Sequence, residues 1–295
     1  MRARYSFTRL VREPLLLIYQ MPKVGSQTIE ATLQRSGWRH ALFRLHFLSR
    51  EYARPLEAGL RAPDATETWR GHVREQLQLS HRLRKVLALR KCLHRVWPGL
   101  PKVQVITAVR EPIGLCLAST FENYYDKFRE DGQAAIDYCR YVLTSPETLK
   151  YVENWFDFEL TPFLGLDVYQ QPFPKEQGYT VCENSFARVL VYRFEALGSL
   201  KPMLSSFLGY DVGEVVSRNL SRSKAYREDY EWAKQRLRFP AEFVARTCQS
   251  KLMQHFYSAE ERRAFELRWT AKGEEQRRRE QRVDTAGVRV TKVAG

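Results

Sequence analysis

The chain lacks the paired residues that metal centres and disulfide frameworks are built from. Its five cysteines (Cys92, Cys116, Cys139, Cys182 and Cys248) are odd in number and scattered, with no Cys-x-x-Cys pair. Its six histidines are equally dispersed, with no His-x3-His pair. This excludes a zinc ribbon and a disulfide-stapled scaffold, favours a reducing, cytoplasmic compartment, and gives no reason to expect a metal. Long hydrophobic runs are also missing. The apolar stretch at 15–21 is too short to cross a bilayer, so no transmembrane segment is expected. Residues Met1–Arg12 carry arginines, but Glu13 and Pro14 lead on without a small-residue cleavage site, so the segment reads as the approach to a first strand and not as a signal peptide. No internal repeat is present, and no helix-turn-helix, zinc finger or RNA-binding strand motif.

What is present is enough apolar material for a large core, with 44% hydrophobic and 13% aromatic residues, and a formal net charge of +14. The positive charge is spread along the chain, with basic stretches at Arg82 to Arg95, Arg218 to Arg227, and Arg277 to Arg282. A solvated basic surface accounts for most of them. A substrate with several phosphates, or an anionic acceptor, would use the same field. Nucleic acid is not an expected partner, and peripheral contact with a membrane is left open.

The most informative stretch is Leu15 to Ala31. An apolar run of strand length stops at Pro22. The loop Lys23-Val24-Gly25-Ser26-Gln27-Thr28 then opens a helical pattern carrying Ile29 and Leu33. A helix beginning in such a loop aims unpaired backbone N–H groups and the positive end of its dipole at one point. Lys23 adds a full charge, and Ser26 and Thr28 add hydroxyls. The nucleotide triphosphatase loop places its lysine after a second glycine, so this cradle is of another kind.

A second motif runs from Val103 to Pro112. Val103–Val109 reads as a buried strand, and Pro112 suits the first position of a helix that continues to about Phe128. Arg110 therefore stands where a strand ends and a helix begins, the edge at which open α/β sheets bind ligands. A guanidinium there is suited to a bidentate grip on phosphate.

Pro-Lys-x-Gly-Ser-x-Thr resembles the 5′-phosphosulfate loop of sulfotransferases that use 3′-phosphoadenosine 5′-phosphosulfate (PAPS). Arg110-Glu111-Pro112 resembles their 3′-phosphate motif. There a serine usually follows the arginine by eight residues; here that position is Ala118, and Ser119 is the nearest candidate. Further blocks, among them Asn154–Glu159, Val191–Leu197 and His255–Trp269, look like a bacterial capsular polysaccharide synthesis family of sulfotransferase-like proteins. This resemblance runs from about Leu15 to Trp269. It implies a P-loop-like three-layer α/β sandwich with a central, mainly parallel sheet, and a single domain over 1–270. The charged tail at 271–295 is expected to be disordered.

On the same resemblance PAPS is the co-substrate and no metal takes part. Lys23 acts on the leaving oxygen, and the cradle of Lys23, Val24, Gly25, Ser26, Gln27 and Thr28 holds the phosphosulfate. Arg110 with Ser119 holds the 3′-phosphate. The acceptor is a hydroxyl, on a carbohydrate if the family's description applies. The acceptor's proton needs a base. His46 is the first choice, because it ends a second strand that would neighbour the first, and an imidazole ordinarily titrates near 6.5. His72 is the rival, with Glu122 behind it. The alternatives are a kinase-like nucleotide enzyme, with Asp167 or Glu111 as metal ligand, and a non-catalytic capsule-assembly or nucleic-acid-binding protein that keeps a vestigial cradle.

The remaining organisation follows from periodicity. Strand two spans about 40–48. Residues 50–98 are a helical insertion, a candidate acceptor lid, with Leu77, Leu79, Leu83, Val86, Leu87 and Leu93 as its apolar face. Helices are expected at about 133–153, a short strand near Leu166–Tyr169, and a hairpin of Tyr179–Cys182 with Arg188–Phe194. The part from 211 to 270 is helical, broken near Pro240.

Overall fold

A computed structural model describes residues 6–60, 67–125, 131–217 and 226–270. Strand β1 (Leu15–Tyr19) is buried at every position, as suits a strand covered on both faces. It lies between β2 (Ala41–Leu45) and β3 (Val103–Val109), parallel to both. Strand β5 (Ala187–Arg193) extends the sheet in parallel beside β3, and β4 (Tyr179–Glu183) closes it as an antiparallel edge. The order is β2-β1-β3-β5-β4. A mainly parallel sheet and the terminal hairpin were both expected. Asn184 makes the hairpin turn: its Oδ1 accepts from the N–H groups of Phe186 and Ala187 at 2.9 and 2.7 Å.

The chain forms two compact units. One comprises residues 1–115 and 150–224 and holds the whole sheet; the other comprises 116–149 and 225–295. In the first, the helices include α1 (Phe7–Arg12), α2 (Ser26–Arg35), α3 (Arg50–Gly59) and α4 (Glu67–Val96). Helix α5 (Pro112–Tyr124) starts in this unit and continues into the second, which adds α6 (Gly132–Thr144) and most of its helices after Arg227. The charged tail lies outside the described residues, as do 218–225 of the second basic stretch.

The inner face of α4 departs from expectation. Leu77, Leu79 and Leu93 are only half-buried, and the buried positions are Val73, Gln76, Ser80, Leu83, Val86, Leu87 and Arg90. Polar residues can hold this face because they find acceptors. Ser80 donates to the Phe47 carbonyl at 2.7 Å. Arg90, fully buried, donates to the carbonyls of Leu10, Val11 and Glu13 at 2.8–3.0 Å, and to that of Pro101. The strand expected near Leu166–Tyr169 is instead a 3₁₀ turn, Val168–Gln170. The Asp167 carboxylate accepts from the Tyr169 N–H at 2.9 Å, and this local bond competes with strand pairing.

Within the second unit, Phe121 is buried and meets Tyr230 edge-on at 5.4 Å. The last described helix, Ala259–Trp269, starts on a Ser258/Glu261 capping box.

Candidate functional site

The order β2-β1-β3 makes β1 a switch point: from it the chain moves to one neighbour and later returns to the other. In open parallel sheets the crevice beyond the C-terminal ends at such a point is where ligands bind. Four segments reach this edge here, one each from β1, β2, β3 and β5. The β1–β2 pairing, Leu15 with Ala41 through Tyr19 with Leu45, is the parallel neighbour relation expected from the sequence.

The loop after β1 is tightly specified. Lys23 has φ 61°, the sole non-glycine residue in the left-handed region among those described, and Gly25 has φ 90°. Alternating conformations of this sort turn successive N–H groups toward one side. Helix α2 begins at Ser26 without a side-chain cap. Thr28 and Ile29 donate to the Gly25 carbonyl at 3.1 and 3.2 Å, whereas the amides of Ser26 and Gln27 come before any intrahelical acceptor. A β-carbon on Gly25 would stand 3.3 Å from Leu197 Cδ1, so the backbone conformation and the space both select glycine. From below, Tyr192 donates to the Val24 carbonyl at 2.9 Å, and Gln20 Nε2 reaches the same oxygen at 3.4 Å.

Arg110, the first residue past β3, donates to the Lys23 carbonyl at 3.0 Å, and its guanidinium lies 4.4 Å above the Phe194 ring. The two sequence motifs are therefore joined by a direct hydrogen bond. Glu111 next to it is buried, and its carboxylate accepts from the N–H groups of Ile113 and Gly114 at 2.9 and 2.8 Å. Burial pushes the Glu111 pKa up to about 7, against the pull of those two amides and of Arg110; Glu195 adds to the rise. The N-terminus of α5 is thus capped by its own chain, and that of α2 is not. Ser119 stands two turns along α5, half-buried in the second unit, and accepts from Asn123 Nδ2 at 3.3 Å.

His46 follows β2 directly. Its Nδ1 is 2.9 Å from the Gln20 carbonyl, an oxygen that can only accept, so Nδ1 carries the proton and Nε2 keeps its lone pair. The ordinary imidazole pKa expected from sequence does not hold. Burial, offset in part by the Gln20 bond and helped by the charges of Arg44, Lys23 and His72, lowers it to about 4. His46 is therefore neutral at pH 7, within the electrostatic reach of Lys23 and His72. His72 itself is exposed on α4. Glu122 lies in the second unit and accepts from the Tyr226 hydroxyl at 3.4 Å.

The segment carrying His46 is clamped by a π-helical turn, Phe156–Leu160. Trp155 Nε1 donates to the His46 carbonyl at 3.2 Å. Glu159, fully buried, accepts from the amides of Leu48 and Ser49 at 2.5 and 2.9 Å, from Tyr19 at 2.7 Å, from Tyr151 at 3.1 Å and from the Ser49 hydroxyl. Burial and Glu159 together push the Tyr19 phenol well above its usual range. Sequence reasoning missed Gln20, Tyr192, Phe194, Trp155 and Glu159 as parts of this edge. Phe194 was findable, because it ends an apolar strand just as Arg110 does.

Residues 128–258 match a family described as "Putative capsular polysaccharide synthesis protein". The match includes Trp155, Glu159 and Tyr192–Glu195 but begins after the cradle loop and Arg110, a narrower span than the sequence blocks suggested. No curated protein and no solved structure gives a significant match. Over that stretch the chain is similar to the capsular polysaccharide synthesis family.

Proposed function

We propose that the protein is a sulfotransferase that moves a sulfuryl group from PAPS to a hydroxyl of a carbohydrate acceptor. The observation that carries this reading is the joined pair at the sheet edge: an uncapped helix start in a Lys23–Gly25 loop, with Arg110 bonded to the Lys23 carbonyl. One half suits the 5′-phosphosulfate and the other the 3′-phosphate. In the reaction the acceptor oxygen bonds to sulfur as the bond from sulfur to the bridging 5′-phosphate oxygen breaks, releasing adenosine 3′,5′-bisphosphate. Lys23 and the Ser26 and Gln27 amides offset the charge that builds on the leaving oxygen. The acceptor's proton goes to Nε2 of His46, the unprotonated ring nitrogen. The carbohydrate class rests on the description of the matched family. A kinase-like reading has less support, because the Glu111 and Asp167 carboxylates are both engaged by backbone N–H groups.

The test is thermal unfolding with adenosine 3′,5′-bisphosphate against ATP and magnesium. The bisphosphate should stabilise the protein by about 2.7 kcal/mol at a hundredfold its dissociation constant. Arg110→Ala should remove the preference for the 3′-phosphorylated ligand over adenosine 5′-phosphosulfate, a loss of about 2–5 kcal/mol. An unshifted melting temperature across a full bisphosphate titration overturns the donor assignment. Tight bisphosphate binding without turnover on any glycan supports a vestigial cradle instead.

A further inference from the structure

From Gln76 to Arg110 the chain contains no aspartate or glutamate. Most of this stretch is the C-terminal two-thirds of α4, whose solvent side is one continuous stripe. Gln78, His81, Lys85, Leu89, Cys92 and Val96 recur at steps of three and four residues, and all are exposed. Arg82, Lys91 and Arg95 flank it. The first turns of the helix differ: there Arg74 and Arg70 face Glu67 at 3.0 and 3.9 Å. Further along, like charges crowd each other, and after burial the charge of Arg95 is what lowers the Lys91 pKa.

Apolar side chains stand among these cations. Val96 is 79% exposed, Trp97 52% and Leu89 38%. The helix end displays Trp97 on ordered backbone: its N–H donates to the Leu93 carbonyl at 2.7 Å, and its own carbonyl accepts from Leu100 at 3.3 Å. Helix α1 packs against α4 and leaves Phe7 44% exposed. Among the described residues of this unit, four of the six exposed large apolar side chains thus lie on α1 or at the end of α4. A merely solvated face has no need of an exposed tryptophan and valine. A phosphate-reading face for nucleic acid would use the cations and leave the apolar tip without a role. Cations beside an exposed aromatic and aliphatic tip match the boundary between lipid headgroups and acyl chains.

We propose that this face of α4 rests on a bilayer surface containing anionic lipids, with Lys85 and Arg95 pairing to headgroups while Val96 and Trp97 enter the interfacial layer. The assignment is independent of the donor reading. It is tested by co-sedimenting the full chain with vesicles of phosphatidylcholine alone or with about one-third phosphatidylglycerol. Binding should require the anionic lipid and fall in high salt. Lys85→Gln with Arg95→Gln should lower it roughly 25-fold, at about fivefold per cation. Val96→Ser with Trp97→Ser should weaken binding while leaving its salt dependence unchanged. An unchanged melting temperature shows that these exposed substitutions leave the fold intact. Failure to bind phosphatidylglycerol vesicles overturns the proposal, as does equal binding by the Lys85/Arg95 variant. Capture of duplex DNA or RNA with the same dependence on Lys85 and Arg95, and no vesicle binding, assigns the face to nucleic acid. Bisphosphate stabilisation of the variants reports separately on the cradle.

Discussion

At the N-terminal edge of the sheet, Arg90 is fully buried and its guanidinium is surrounded by four backbone carbonyls, including those of Glu13 just before β1 and Pro101 just before β3. At the C-terminal edge, Arg110 is half-buried, stacks on Phe194, and donates to the Lys23 carbonyl. Burying a guanidinium is costly unless acceptors replace its water, and backbone carbonyls meet that need for Nη1 and Nη2 of Arg90, though not for its buried Nε. Arg110 keeps contact with solvent. The comparison teaches that one residue type at two ends of the same strands can be structural or available to a ligand. Which it is depends on how far the fold withdraws the guanidinium from solvent.

The sharpest way to break that contrast is to remove each arginine in turn. Arg90→Met should destabilise the protein by on the order of 5 kcal/mol, since several buried carbonyls lose their donor at once. Arg110→Ala should cost under about 1 kcal/mol by the same urea measurement. Similar losses for the two would mean that the edges are not differentiated in this way.

At the C-terminal edge the expected effects are on chemistry. His46→Ala should cut turnover by about 10²–10⁴ once an acceptor is in hand, with bisphosphate affinity nearly intact. Turnover near the wild-type level would pass the proton to His72. The pKa of about 4 adds a check that needs no substrate: the His46 ring signals in an NMR titration should stay those of a neutral imidazole down to pH 5.

A further effect, one that depends on pH, belongs to Glu111. Its folded pKa of about 7 lies above the ordinary glutamate value, so the folded state holds the proton more tightly than the unfolded chain. Its contribution to stability is full below about pH 4.5 and is lost as pH rises through 7, by at most about 3 kcal/mol. Comparing Glu111→Gln with the wild type by urea unfolding at pH 5 and pH 8 isolates this from other groups. An unchanged difference between the two pH values would show that Glu111 does not titrate there.

Much of this edge was legible because its signals are local. Lys23, Gly25 and Arg110 sit in runs where strand, breaker and helix start follow within a few residues, and the hairpin turn is carried by Asn184 alone. The Glu159 clamp and the carbonyl bonds of Arg90 were not legible, because their partners are remote. Glu159 is about 110 residues from the Leu48 and Ser49 amides it accepts from, and Arg90 is 77 from Glu13. The inner face of α4 was misread for the same reason: Ser80 and Arg90 break its apolar pattern, and their acceptors come from other elements. His46 was placed correctly at the strand end, but its proton affinity depends on burial that no local pattern reveals.

The parallel pairing also bears on how the protein folds. Leu15 pairs with Val103, and Val103 in turn with Ala187, so each join closes a long stretch of chain before any hydrogen bond is gained. Only β4 and β5 form a local hairpin. Such a sheet is expected to assemble slowly, with the hairpin able to form early and the β1–β3 join late. Arg90 bears on that late step, because by holding the Glu13 and Pro101 carbonyls together it fixes the starts of the two strands whose far ends carry Lys23 and Arg110. The cradle and its arginine then come together only when the longest loop of the sheet has closed.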